Sequence, residues 1–284
     1  MLYSSGIPRC SHPISGNGEC LTNNLYYNSV LNYNQNRECA IMIGRFKHGD
    51  DVFYGSVSGE LVTSMDHEGR TFELSELSLL PPATPSKIIC IGLNYVDHAI
   101  ELDMEIPTEP VIFMKPSSSL IGPGGKIAYP AMSQRVDYEA ELAVVIGKKC
   151  RNISSDNAMD VIAGYTCFND VTARDLQQKD GQWTRSKSFD TFAPLGPFIV
   201  PKEELDPSDV NVSSFVNGEV RQSSSTSNLI FDIPYLIEFI SGIMTLEVGD
   251  VIATGTPPGV GELERGDIVE VKIEGIGTLM NEVV

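Results

Sequence analysis

Two carboxylates one residue apart, Glu139 and Glu141, open the apolar stretch Asp137-Tyr138-Glu139-Ala140-Glu141-Leu142-Ala143-Val144-Val145-Ile146-Gly147. Its alternation predicts one continuous β-strand. Side chains two apart on a strand share a face roughly 6.5 to 7 Å apart, so both carboxylates aim at one point. Ala143 and Val145 continue that face. Tyr138, Ala140, Leu142, Val144 and Ile146 line the other, as in a strand buried on both sides. Like charges this close raise each other's pKa and lose hydration worth several kcal/mol per ion unless a cation joins them. A divalent metal removes both penalties; a solvated edge strand, with both side chains in water, avoids them.

Other groups could share that point. His98 and Glu101 lie three apart on a helix predicted over 96–102, hence on one face. A carboxylate beside a histidine orients the ring and raises its basicity, as a general base requires, although the same spacing suits a surface ion pair. Asp170 ends a strand predicted over 165–169, a place where ligands often bind. Arg174 and Gln177 stand three apart on a helix predicted over 171–179, and Lys187 lies in the run Thr184-Arg185-Ser186-Lys187-Ser188. A solvated charge run is the plain reading of these. After a strand over 250–253, Thr254-Gly255-Thr256-Pro257-Pro258-Gly259-Val260-Gly261 offers backbone N–H groups and hydroxyls to an anion. Its glycine spacing matches neither a Walker A loop nor a dinucleotide fingerprint.

The elements that hold these residues divide the chain of 284 residues into four parts. Residues 1–38, crowded with Asn, Ser and Gly, predict a loose N-terminal extension. Short alternating runs over 39–80 predict a small antiparallel β domain. Pro81-Pro82-Ala83-Thr84-Pro85 fits neither helix nor central strand, so 81–86 reads as a stiff linker. The remainder, 87–284, is mostly short strands, including 87–91, 111–115 and 126–129. It also carries a short helix near 158–162 capped by Ser155, and an amphipathic helix over 233–241 capped by Asp232 and stopped by Gly242. The fold class is α+β, mostly β.

Composition limits the partners. With 38 acidic residues against 20 basic, the formal charge is −18 and the pI near 4.5, which argues against nucleic acid. The six cysteines form no C-x-x-C pair and have no histidine at zinc-finger spacing, so a structural zinc site is not expected. No cationic, apolar leader opens the chain and no run of eighteen apolar residues occurs, so we expect no membrane span and a cytoplasmic protein with reduced thiols.

Taken in order, Gly92-Leu93-Asn94-Tyr95 with His98 and Glu101, Asp137-Tyr138-Glu139-Ala140-Glu141, Asn169-Asp170-Val171-Thr172-Ala173-Arg174-Asp175, Lys187-Ser188-Phe189-Asp190 and the 254–261 loop resemble the fumarylacetoacetate hydrolase family, in its acylpyruvase and dienoate-isomerase-like branch. The likeness runs from about residue 83 to the C-terminus and is weaker over 40–80. It implies a mixed β-roll catalytic domain, assembled as a homodimer. It also implies that Glu139, Glu141 and Asp170 hold Mg²⁺ or Mn²⁺, a hard cation matched to oxygen ligands. His98 and Glu101 fall on the water-activating dyad, and Lys187 on a lysine that steadies negative charge. Asn94, Tyr95, Arg174, Gln177 and Thr254 fall on substrate-contacting positions. The activity expected is hydrolytic cleavage of a C–C bond in a β-diketo acid such as an acylpyruvate or fumarylpyruvate, through activated water and an enolate leaving group. Oxaloacetate decarboxylation, or keto–enol or dienoate isomerisation at the same site, is the alternative.

Overall fold

A computed structural model describes residues 41–66 and 68–284. The extension expected over 1–38 lies outside the described residues. The first strands, β1 (Met42–His48), β2 (Asp51–Ser58), β3 (Leu61–Ser64), β4 (Thr71–Glu73) and β5 (Ser78–Leu80), are antiparallel neighbours. Then come β6 (Ile88–Gly92), helix α1 (Val96–Glu101), β7 (Val111–Lys115), β8 (Leu120–Ile121), β9 (Lys126–Ile127), β10 (Val136–Tyr138), β11 (Ala140–Ile146), β12 (Ile162–Asn169) and β13 (Thr172–Ala173). Helices α2 (Arg174–Asp180) and α3 (Thr184–Lys187) lead to β14 (Ala193–Pro201), β15 (Asn211–Val216) and β16 (Glu219–Ser225). Helix α4 (Ile233–Ile243), β17 (Val251–Ala253), β18 (Gly261–Leu263), β19 (Ile268–Ile273) and β20 (Gly277–Val283) complete the chain.

Among the described residues the main sheet has the order β4-β3-β2-β1-β14-β12-β11-β17-β6-β7, with β5 on β1 and β8 on β14. A three-stranded sheet, β13-β10-β18, and a five-stranded one, β16-β15-β19-β20-β9, pack around it. The fold is mostly β, as the short alternating runs imply.

Strand β11 is the middle of this arrangement, and its sequence explains why. All seven residues are buried. Ala140, Leu142, Val144 and Ile146 enter one apolar cluster with Tyr165, Ile237 and Ile252, whereas Ala143 and Val145 enter another with Cys90, Phe168 and Ala253. A strand apolar on both faces belongs inside a sheet with both faces covered.

The single strand expected over 137–147 is in fact two. The chain leaves the small sheet after Tyr138 and enters the main sheet at Ala140, so Glu139 sits at the switch between them. A buried backbone that leaves one ladder must find other partners. Glu139 N–H donates to Asn169 Oδ1 at 3.0 Å and Ala140 N–H donates to Gln222 Oε1 at 3.0 Å. Gln222 in turn donates to Thr256 Oγ1 at 2.8 Å and Pro257 O at 2.7 Å, tying the junction to the loop after β17.

The expected small domain over 39–80 does not stand apart. β1 pairs with β14 at Ile43 and Ile199, and the ring of Phe46 lies 6.5 Å from that of Phe198 in a shared cluster. The 81–86 segment is likewise anchored: buried Asp250 accepts from the backbone N–H groups of Ser86 and Lys87, at 3.0 and 3.2 Å. Helix α4 starts at the Asp232 cap as expected but runs through Gly242 to Ile243, because Met244 N–H still closes onto Ile240 O. Near 158–162 the structure has a 3₁₀ segment, Ser155–Val161, whose N-cap is Ser154.

The junction at Glu139 yields a stability test. Gln222→Ala leaves the buried Ala140 N–H and Pro257 O unpaired, which should cost about 3 kcal/mol in all and lower Tm by roughly 6–12 °C. Thermal denaturation checks this; a shift within error of the parent would show that the switch does not depend on Gln222.

Candidate active site

Where β11 begins, β12, β17 and β6 end, and the loops beyond them meet over one cavity of about 290 Å³. Its polar wall carries Glu139, Glu141, Lys187, Arg174, Gln177, His98 and Thr256; its apolar wall carries Leu93, Leu102, Met104, Phe113 and Trp183. Gly92 lacks a side chain where the Trp183 ring closes in: a Cβ there would lie 2.7 Å from Trp183 Cζ3. The next residue, Leu93, has a left-handed φ of 47°, a strained conformation for leucine that sits at the cavity wall.

Glu139, Glu141 and Asp170 are all buried, and their candidate ligand oxygens lie within 4.8 Å of one another. Despite the strand break, the two glutamates therefore converge. Their environments differ. Glu139 is opposed by burial, but Lys187 Nζ at 2.9 Å and the Arg174 guanidinium outweigh it and hold the carboxyl well below the usual carboxylate range. Glu141 has no ammonium or guanidinium partner among the described residues. Burial first, then the charges of Asp170 and Glu139, push its carboxyl well up, opposed by the Gly255 N–H that donates to Oε2 at 2.9 Å. Gly255, at φ 101° with Asn94 packed against it, reaches this position only because it has no side chain.

Asp170 lies between two lysines. Lys187 Nζ donates to Oδ2 at 2.6 Å, and Lys115 Nζ stands 2.5 Å from Oδ1. Burial works against the Lys187 ammonium, but Asp170 and Glu139 overcome it and raise its pKa. Arg174 donates to Asp137 Oδ2 at 2.8 Å, to Gln177 Oε1 at 2.5 Å and to Glu139 Oε1, so Arg174 and Gln177 face the cavity as one unit. Asp137 is shared by Arg174 and Arg135, so four carboxylates face two ammonium and two guanidinium groups, and Glu141 is the carboxylate that none of these cations contacts. A hard divalent cation fits this donor set: clustered carboxylate oxygens, one of them on the uncompensated Glu141, with no thiol or imidazole among them.

The dyad forms. His98 Nδ1 lies 2.9 Å from Glu101 Oε2, and Glu101 Oε1 accepts from Gly259 N–H at 3.0 Å, which links helix α1 to the loop after β17. Three of the residues expected at the substrate are placed elsewhere. Asn94 is buried, donating to Phe231 O and Thr254 O and accepting from Phe231 N–H. Tyr95 is buried with its hydroxyl unpaired, and Thr254 donates to Leu142 O. None of the three lines the cavity; Thr256, two residues along the same loop, does. Lys115 and Trp183 carry no sequence signal that sets them apart from ordinary strand and helix residues, and Thr256 none beyond its place in the 254–261 loop.

The comparisons agree with this geometry. Residues 87–284 match the family described as fumarylacetoacetate (FAA) hydrolase C-terminal. The chain belongs to this family. It is 46% identical over 233 residues to the mitochondrial oxaloacetate tautomerase of Xenopus laevis, an alignment covering 78% of this chain and 73% of that one. The crystal structure of 5-carboxymethyl-2-hydroxymuconate delta-isomerase from Mycobacterium smegmatis is similar at TM-score 0.80 and 48% identity, over 86% of this chain and 98% of that one. Maleylpyruvate hydrolase from Sphingobium sp. SYK-6, solved with manganese(II) and pyruvate, is similar at TM-score 0.74 and 32% identity, over 86% and 98%. The chain is thus an enzyme of a family that works on C–C bonds or on the keto–enol systems beside them. Among the described residues no helix is long and apolar enough to cross a membrane.

Glu141 supplies a pH-dependent test. Its folded pKa is raised, so the unfolded chain loses the proton first, at about pH 4.3; stability falls as pH rises from there through the folded pKa, and the penalty persists above it. In excess chelator at pH 7, Glu141→Gln should therefore melt higher than the parent, the gain should vanish near pH 4, and Mn²⁺ affinity should fall at least tenfold. A variant that melts lower than the parent at pH 7 would show that Glu141 is not under charge stress.

Proposed function

We propose that the chain is a keto–enol isomerase of a small 2-keto diacid of the oxaloacetate kind, with Mg²⁺ or Mn²⁺ held by Glu139, Glu141 and Asp170. The observation that carries this reading is that His98, paired with Glu101, and one buried ammonium, Lys187, line the same small cavity. Proton transfer beside a carbonyl needs that pair: a base for the C3 hydrogen, and positive charge for the oxygen that becomes negative. When bound, the cation supplies Lewis acidity and charge at the 2-keto oxygen.

Glu101 engages Nδ1 of His98 and leaves Nε2 as the nitrogen that takes the proton. The C3–H bond breaks, its electron pair becomes the C2–C3 double bond, and the carbonyl pair moves onto oxygen, facing Lys187. Transfer of the proton from His98 to that oxygen completes the enol and restores the base; the reverse steps regenerate the keto acid. Lys187 is itself buried, with its ammonium 4.9 Å from the Phe113 ring, which strengthens its attraction to the enolate. The tautomerase and isomerase relatives support this reading over the hydrolysis expected from the sequence. Cleavage of an acylpyruvate is the second reading, because the same dyad can deprotonate water and the maleylpyruvate hydrolase holds manganese and pyruvate on this fold.

Enol-oxaloacetate and an acylpyruvate, each supplied with Mg²⁺, separate the two. Loss of enol absorbance should be accelerated with no pyruvate released above background, and His98→Ala should slow it by roughly 10²- to 10⁴-fold with Mg²⁺ affinity unchanged. Acylpyruvate cleavage outpacing oxaloacetate isomerisation would overturn the isomerase reading in favour of the hydrolase.

A further inference from the structure

Lys115 is a buried charge to which the reading above gives no part. It closes β7 and is 1% exposed, with its ammonium 5.8 Å from the Phe168 ring and 6.0 Å from the Phe192 ring. Nζ donates to Val171 O at 2.9 Å and to Phe192 O. Its third contact is Asp170 Oδ1 at 2.5 Å, and that oxygen, although buried, receives no directed hydrogen bond. Lys115 thus spends its hydrogen bonds on two backbone carbonyls and acts on Asp170 as a fixed positive charge. Unlike Lys187, which touches the other oxygen of Asp170, it does not line the cavity, so no substrate atom is placed to touch it.

Removing a buried ammonium from a charged cluster has consequences of opposite sign for a cation and an anion, since charges inside a protein are weakly screened. With Lys115 present, Asp137, Glu139, Glu141 and Asp170 are matched in formal charge by Arg135, Arg174, Lys115 and Lys187, and a divalent cation makes the cluster positive. Without it, one negative charge would be in excess and the loaded site would be less positive by one charge.

We propose that Lys115 is a positioning and charge-setting residue: it holds Asp170 from behind the cavity and weakens cation binding in exchange for a loaded site that is positive and draws in a substrate carboxylate. This inference rests on the metal-dependent reading of the site. It makes Lys115 a determinant of preference for anionic substrates, at a position the substrate does not reach.

The full-length protein and its Lys115→Gln and Lys115→Met variants, stripped with chelator and dialysed, test it by calorimetric titration with Mn²⁺ and Mg²⁺ alone, followed by steady-state kinetics on the keto acid. Glutamine can still donate to one of the two carbonyls, so it guards against a methionine variant that fails to fold. Both folded variants should bind Mn²⁺ about tenfold tighter or more, and KM for the anionic substrate should rise by a similar factor while kcat changes less. Metal affinity that is unchanged or weaker in a folded glutamine variant, or a variant that unfolds even with saturating Mn²⁺, would overturn the proposal and leave Lys115 as a structural prop. A parent protein that binds neither ion would instead remove the metal-dependent reading, and this inference with it.

Discussion

Three carboxylates held within 4.8 Å of one another in a protein interior repel more strongly than any apolar contact around them attracts. The rest of the architecture answers that repulsion. Lys187 from α3 bridges Glu139 and Asp170, Lys115 from β7 backs Asp170, Arg174 from α2 pins Glu139, and Gly255 from the loop after β17 meets Glu141. These groups arrive from distant parts of the sequence. The sheet order β12-β11-β17-β6-β7 places the elements that carry Lys115 and Gly255 in one sheet with those that lead to Glu141 and Asp170.

The switch between sheets at Glu139 belongs to the same solution. A strand continuing in one ladder would keep both carboxylates on a regular pleat. Breaking the ladder frees two backbone N–H groups, which Asn169 and Gln222 recapture. The cost is rigidity paid in buried polar side chains, and the return is a fixed geometry for the ligand oxygens. Glu141 is left with unrelieved charge, the common condition of a site whose stability is completed by what it binds.

Much of this was legible in the sequence because it rests on periodicity. The faces of β11 follow from alternation, and the dyad from a spacing of three on a helix; the convergence of Glu139 with Glu141 follows from a spacing of two. What alternation could not reveal is a strand that changes sheets, since the pattern 137–147 is unbroken while its hydrogen-bond partners are not. Nor could it separate Thr254 from Thr256, two hydroxyls on one loop, of which the first turns to Leu142 O and only the second lines the cavity. Asn94 was readable as a polar residue at a turn; that it joins Phe231 and Thr254 depends on tertiary contacts 137 and 160 residues away. Lys115 was hidden most fully, because a lysine ending an apolar strand looks like a solvated strand terminus until the fold buries it.

The size of the cavity bears on which chemistry the dyad serves. Hydrolysis requires that the acyl chain and an attacking water both fit between His98 and the carboxylates, whereas isomerisation requires only the keto acid. A water takes up about 30 Å³, a tenth of the roughly 290 Å³ here, and it must also find polar partners. On the side away from the carboxylates the wall is Leu93, Leu102, Met104, Phe113 and Trp183, which offers such a water no hydrogen bond from a side chain other than the Trp183 indole. On the polar side Arg174 and the Gln177 carbonyl are committed to each other and to Glu139, whereas the amide groups of Gln177 and Gln178 face the cavity as further polar partners. Moving a proton along a short diacid needs only the base and the buried ammonium, whereas splitting a longer one also needs a water held beside His98, so the two reactions place different demands on the same wall.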